Sequence, residues 1–261
     1  MNKKMIKWIN YTTNVILIII LSACKQQKQV NNILEPNETI PQPSVQIDTT
    51  NVSLIIYYPP ADSIVLRCFT RPEPNLDNNA VFCCAAAFTL DYKTEEDHKR
   101  ICSAHVSEGI YYKMPRIKRN TGAFVTYNGK WLFLYDGDAN PASFDVEFQK
   151  TAVNKGAGFA QEMMIHDGLQ VKTTRPLGNT NLFRALCERE NRLCVVDAKK
   201  IMAFGEFIKL LLDNGITEAI YTDMGYGWNY SWYRINPNAP AIYIHQEYQP
   251  AATNWLLFYP K

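Results

Sequence analysis

The pattern of apolar and polar positions divides the chain into three parts. Residues 15–21 are an unbroken apolar run, Val15-Ile16-Leu17-Ile18-Ile19-Ile20-Leu21. Residues 25–50 show no period; they are rich in Gln, Asn, Pro and Thr and poor in aromatics, so they cannot bury enough surface to fold. From Asn51 the pattern becomes that of a globular domain. Val52–Tyr58 and Ser63–Phe69 read as strands, the first stopped by Pro59-Pro60. Val81–Leu90 is apolar with small residues and fits a strand or a helix. The clearest hairpin joins Ala123–Tyr127 to Lys130–Tyr135 through Asn128-Gly129, because both positions of a tight hairpin turn need positive φ. A second is expected to turn at Asp167-Gly168, between Phe159–His166 and Leu169–Thr173. A third should join Phe183–Cys187 to Leu193–Val196. In 198–214, Phe204, Phe207, Ile208 and Leu211 fall at i, i+3, i+4 and i+7, the stripe of a half-buried helix. Asp197 is placed to cap it and Gly215 to end it. Ile216–Thr222 is then a strand with Asp223 at its C-terminal end. Hairpins with one or two helices argue for a single α+β domain over 51–261, a mixed and largely antiparallel sheet with packed helices.

Composition and charge sharpen this reading. The chain has 261 residues, 47% hydrophobic and 20% charged, with a formal charge of +2. That suits one domain or two small ones and offers no basic excess for nucleic acid. Lys3, Lys4 and Lys7 precede the apolar run, and Ser22-Ala23-Cys24 follows it, the layout of an export signal rather than a membrane span. Leu21-Ser22-Ala23-Cys24 resembles the bacterial lipoprotein lipobox. The resemblance implies that residues 1–23 are a signal peptide and that Cys24 is acylated. Residues 24–50 would then tether the domain to the membrane of a bacterial cell envelope. Six further cysteines remain: Cys68, Cys83, Cys84, Cys102, Cys187 and Cys194. Cys187 and Cys194 could face each other across the third hairpin, or all could be buried thiols. There is no CxxC and no HExxH, so no metal or cofactor is expected. Gly156-Ala157-Gly158 lacks the context of a nucleotide loop. His98, His105, His166 and His245 are scattered and read as structural or exposed.

The segment 183–234 carries the chemistry. Asp223 at a strand end is followed by Gly225 and Gly227, a loop whose backbone N–H groups can face an anion. Arg184 and Arg234 offer planar forks for phosphate. Tyr226, Trp228, Tyr230 and Trp232 alternate, and in an extended chain they share one face. That face is either core or a platform for a sugar ring. Asn229 lies among them as a polar contact.

Arg184, Val196-Asp197, Glu206 and Asp223-Met224-Gly225-Tyr226-Gly227, in this order and spacing, resemble the motifs of the phosphodiester glycosidase family. The match is clear over some fifty residues and extends plausibly over 81–234. It implies hydrolysis of a sugar-phosphodiester on glycans or envelope polymers. Arg184 and Asp223 would be catalytic. Gly225, Gly227, Trp228, Asn229, Trp232 and Arg234 would hold a glycan or sugar-phosphate ligand. Two departures stand out. Cys84-Ala85-Ala86-Ala87-Phe88 occupies the place of the family's Asn-Gly-Gly motif, and Met224 and Tyr226 replace loop glycines. They keep open a second reading, a non-catalytic glycan-binding lipoprotein on the same scaffold. Without the resemblance, Asp197 reads as a helix cap and Glu206 as a solvated helix position.

Overall fold

A computed structural model of the chain describes residues 44–68, 71–89, 101–114, 118–138, 143–225, 227–248 and 254–261. The expected signal peptide, Cys24 and most of the expected tether lie outside the described residues, as does Tyr226. The folded unit begins before the expected boundary at 51, since Gln46–Asp48 is a strand paired antiparallel with Leu54–Tyr58.

Every described strand pairing is antiparallel. The central sheet has seven strands, in the order Gln46–Asp48, Leu54–Tyr58, Arg192–Ala198, Arg184–Arg189, Ile216–Tyr221, Met163–His166 and Leu169–Gln170. A five-stranded sheet runs Ile242–His245, Ser231–Tyr233, Phe82–Ala85, Asn254–Tyr259 and Ser63–Cys68. Another runs Ile110–Tyr112, His105–Ser107, Ala157–Gln161, Gly122–Tyr127 and Lys130–Tyr135. Thr180–Asn181 and Met202–Ala203 form a short ribbon. The described helices are Phe144–Val153 and Phe204–Asp213. The expectation of an α+β fold is therefore corrected: the architecture is mainly β, because short apolar runs bounded by turn residues, buried on both faces, form strands over most of the described chain, and the described helices are two of ten residues each.

The helical stripe expected within 198–214 is observed. Phe204, Phe207, Ile208 and Leu211 are buried against one face of the central sheet, with Ala185, Cys187, Val196 and Tyr221. The opposite face carries Tyr57, Leu186, Val195 and Ile220, and these pack with Leu66, Phe82, Phe258, Phe124 and Phe159 of the two five-stranded sheets. Successive strand residues point to opposite faces, so Ala185 goes to the helix while Arg184 and Leu186 go to the sheets. The Asn128-Gly129 and Asp167-Gly168 turns have the positive φ pairs required, +53° and +70°, and +50° and +73°. The third hairpin turns at Glu190-Asn191 instead of a longer loop. Asp197 is not the helix cap: it lies in the strand opposite Arg184, and the helix starts at Phe204 after Ala203.

Cys187 and Cys194 do face each other in register, and both are free, buried thiols. The stretch 157–166 is not one hairpin arm. It breaks at Glu162, its first half joining a five-stranded sheet and its second half the central sheet.

Candidate functional site

One end of the central sheet gathers the polar side chains. The register pairs Arg184 with Asp197 and Ala185 with Tyr221, and Met163 lies beside Ile220. Asp197, Arg184, Asp223 and Glu162 thus lie at the same end of four adjacent strands.

Arg184 is fully buried. Its Nε donates to Asp197 Oδ1 at 2.6 Å and its Nη2 to Asp197 Oδ2 at 2.7 Å, a bidentate pair. Nη2 also donates to Ser231 Oγ at 2.9 Å, and Nη1 approaches the Asn229 carbonyl at 3.5 Å. Burial opposes the guanidinium charge, but the adjacent Asp197 carboxylate outweighs it and holds the charge more firmly than usual. Arg184 therefore ties the central sheet to the 229–231 segment and has no open fork for phosphate. His245 Nε2 lies 4.0 Å from Asp197 Oδ2, and burial together with Arg184 lowers the pKa of this imidazole.

Asp223 is a different kind of group. Its backbone N–H donates to the Ala86 carbonyl at 2.9 Å, and Gly225 N–H donates to its Oδ1 at 3.2 Å. Burial pushes its carboxyl up to about 6; backbone N–H groups of Gly225, Thr89 and Met224, and the Arg175 charge, act in the other direction. Arg175 lies 4.4 Å from the Tyr221 ring centroid and 5.2 Å from that of Phe204. Its Nε is 3.6 Å from Oε2 of Glu162, a fully buried carboxylate. Glu162 Oε1 accepts from Thr174 N at 2.6 Å, Thr174 Oγ1 at 2.9 Å and Arg175 N at 2.8 Å. Neither Glu162 Oε2 nor Arg175 Nε has a hydrogen bond among the described residues. The arrangement offers a carboxyl that exchanges its proton near neutrality, a cation and a second carboxylate.

The other expected ligand-binding residues divide. Gly225 and Gly227 shape the loop: Gly227 has φ of +74°, and a Cβ on Gly225 would stand 2.8 Å from Trp228 Cδ1. Trp228 is half-buried against Tyr230 and Trp255. Asn229 is buried, with its carbonyl toward Arg184. Trp232 is not a sugar platform. It is fully buried and its indole N–H donates to the Pro72 carbonyl at 3.0 Å. Arg234 is buried too, and its donors go to the Asn78 and Pro74 carbonyls. Trp232 belongs to the strand Ser231–Tyr233, which has neighbours on either side, and Arg234 directly follows it, so both lie in core rather than on a cleft. Glu206 is exposed on the helix. The Ala85-Ala86-Ala87 segment, buried, lies against Asp223, so the two segments paired by the family resemblance do meet.

Sequence reasoning missed Glu162, Arg175 and His245. Glu162 had one legible signal, a carboxylate inside an apolar stretch; Arg175 and His245 had none. A group able to hold a metal lies elsewhere, at His166, Asp167 and Glu218. There His166 Nδ1 meets Glu218 Oε2 at 2.8 Å, and Asp138 Oδ2 lies 3.4 Å from Nε2. Burial opposes the His166 charge, but the surrounding carboxylates outweigh it and raise its pKa, which accounts for the cluster as a charge pair.

The stacked antiparallel sheets form a phosphodiester glycosidase-like scaffold, and on it Asp223 follows a central strand beside a glycine loop. Among solved structures, the catalytic domain of zebrafish N-acetylglucosamine-1-phosphodiester alpha-N-acetylglucosaminidase, auto-inhibited by its pro-peptide, is similar with a TM-score of 0.53. The match covers 83% of this chain and 82% of that one at 13% identity, a likeness of fold. No protein-family model matches the sequence, and no curated protein sequence matches it.

Proposed function

We propose that the protein is a lipid-anchored, exported hydrolase that splits a sugar-phosphodiester linkage on glycans or envelope polymers. The observation that carries this reading is Asp223, a buried carboxyl lifted to about 6 at the end of a central strand on a phosphodiester glycosidase-like scaffold. Near neutral pH such a carboxyl is present in both forms, as an acid–base group requires. Protonated Asp223 gives its proton to the phosphate oxygen that leaves the anomeric carbon, and water supplies the new bond to that carbon. Arg175 meets the phosphate charge in place of Arg184, whose fork is filled by Asp197. Glu162 fixes the 174–175 backbone and supplies the second carboxylate that glycoside hydrolysis generally uses. Export and anchoring rest on Lys3, Lys4, Lys7 and the Leu21–Cys24 motif.

Two observations favour the binding-module reading. The arginine that the family motif would aim at phosphate is locked in an internal ion pair, and the buried Ala85–Ala87 segment lies against Asp223. The two readings separate in one experiment. The domain is incubated with a panel of sugar-1-phosphodiesters, and released sugar and phosphate monoester are measured for wild type and Asp223→Asn. Turnover by wild type that falls at least a hundredfold in Asp223→Asn supports the hydrolase. Binding of a panel member without turnover supports the module. Metabolic labelling with palmitate, lost in Cys24→Ala, tests the anchor.

A further inference from the structure

At the other end of the Arg184–Arg189 hairpin from the Arg184–Asp197 pair lies a cavity of about 230 Å³. Four strands and the turn at Glu190-Asn191 build it. Trp131 and Tyr58 supply aromatic surface, Pro60 supplies a rigid wall, and Gln46, Asn191 and Arg192 supply polar groups. These walls are fixed before any ligand arrives. The Trp131 indole N–H donates to Glu188 Oε2 at 2.6 Å, and the Tyr58 hydroxyl accepts from Arg189 Nη1 at 2.9 Å. The Arg192 guanidinium lies 4.5 Å from the Tyr58 ring centroid, and its Nη2 donates to Gln46 Oε1 at 2.8 Å.

We propose that this cavity is a binding site for a single sugar unit that carries a carboxylate. Three features select that chemistry. Its volume is below the range of about 300–1,000 Å³ that holds drug-sized ligands, so it takes one ring rather than a chain. Its walls join aromatic and proline surface to amide and guanidinium groups, matching a pyranose with an apolar face and a hydroxyl edge. None of its lining residues is acidic, and its charged group is Arg192, exposed and held by a neutral amide. Two of the five guanidinium N–H groups suffice for a carboxylate fork, a contact roughly twice as strong as one between neutral partners. Of the alternating aromatics, Tyr230 and Trp232 are core; Trp131 and Tyr58 put aromatic surface where a ligand can reach it. The site needs no chemistry at Asp223.

Calorimetric titration of the domain with methyl β-D-glucuronide, methyl β-D-glucoside and sodium acetate tests this. Saturable binding of the glucuronide is expected, with the glucoside weaker by at least about fivefold and acetate weaker still. Arg192→Ala, a change at an exposed side chain, should bring the two glycosides to the same affinity. Trp131→Ala, checked for folding by its melting transition, should weaken the glucuronide about tenfold or more. The expected results at Arg192 and Trp131 do not depend on any turnover, so failure of the hydrolase reading does not touch them. Absence of saturation by either glycoside would overturn the proposal. So would acetate binding as well as the glucuronide, or undiminished binding in folded Trp131→Ala.

Discussion

Two arginine–carboxylate groups lie at the same end of the central sheet, and they are built in opposite ways. In the Arg184–Asp197 pair both Asp197 oxygens accept from the guanidinium, and Ser231 and Asn229 take what is left. Its charges are matched in place within the central sheet, and the contacts of Arg184 to Ser231 and Asn229 make it a strut to the 229–231 segment. In the Asp223–Arg175–Glu162 group the contacts are incomplete. Arg175 Nε and Glu162 Oε2 stand 3.6 Å apart and neither has a hydrogen bond among the described residues, although the Arg175 backbone N–H donates to Glu162 Oε1, and Asp223 keeps a carboxyl lifted to about 6. A buried ion pair that is fully satisfied resists change, while one left partly unsatisfied is available to a ligand. On the proposed hydrolase reading, the first group is structural and the second carries the chemistry, although the family resemblance weights Arg184 and Asp223 equally.

The sharpest way to break this comparison is to remove one partner of the strut. Arg184→Ala leaves Asp197 buried and unpaired and should cost about 3–5 kcal/mol, read as a shift of the urea midpoint. A loss below about 1 kcal/mol would show that the pair is not acting as a strut. The pH dependence of stability comes next. Asp223 has a folded pKa of about 6 against an ordinary value of 3.8, so the folded state holds the proton more tightly. Its contribution is fully present below about pH 4, is lost as pH rises to about 6, and is flat above that. The loss is about 3 kcal/mol, and Asp223→Asn should remove that slope while remaining folded. Urea midpoints of wild type and variant measured from pH 4 to 7 give the comparison; parallel curves would contradict it.

Smaller effects sharpen the picture further. Glu162→Ala strands the Thr174 and Arg175 donors and should destabilise by about 2–3 kcal/mol, with a larger loss of turnover than of melting temperature. Gly225→Ala places a Cβ 2.8 Å from the Trp228 ring and should cost about 1–2 kcal/mol through displacement of Trp228. Trp228 fluorescence, isolated by difference against Trp228→Phe, reports that displacement.

Much of the sheet was legible because tight turns are local. Asn128-Gly129 and Asp167-Gly168 announce themselves through the positive φ that each position needs, and Phe204, Phe207, Ile208 and Leu211 through their period. The helix Phe144–Val153 was not legible: its packed stripe of Phe144, Phe148, Thr151 and Ala152 includes a polar residue, and the apolar Val146 and Val153 fall on the exposed side and blur the period. The break at Glu162 was hidden for a related reason, since a strand that changes sheets keeps its alternation on both sides. In the candidate site, Asp223 could be read from its place between a strand and a glycine loop. Arg175 could not, because its partners Phe88, Phe183, Phe204 and Tyr221 come from four distant segments. The alternating aromatics misled for a physical reason. Alternation fixes which side of a strand a ring occupies, and says nothing of whether a neighbouring layer covers that side.

The most direct test of Asp223 as the proton-exchanging group is a carbon-13 NMR titration of the aspartate carboxyls, with Asp223→Asn to assign its resonance. A resonance with its midpoint near pH 6, absent from the variant, is the expected result. A midpoint at or below about 4 would show that the carboxyl is permanently ionised near neutrality and would contradict its role as the acid.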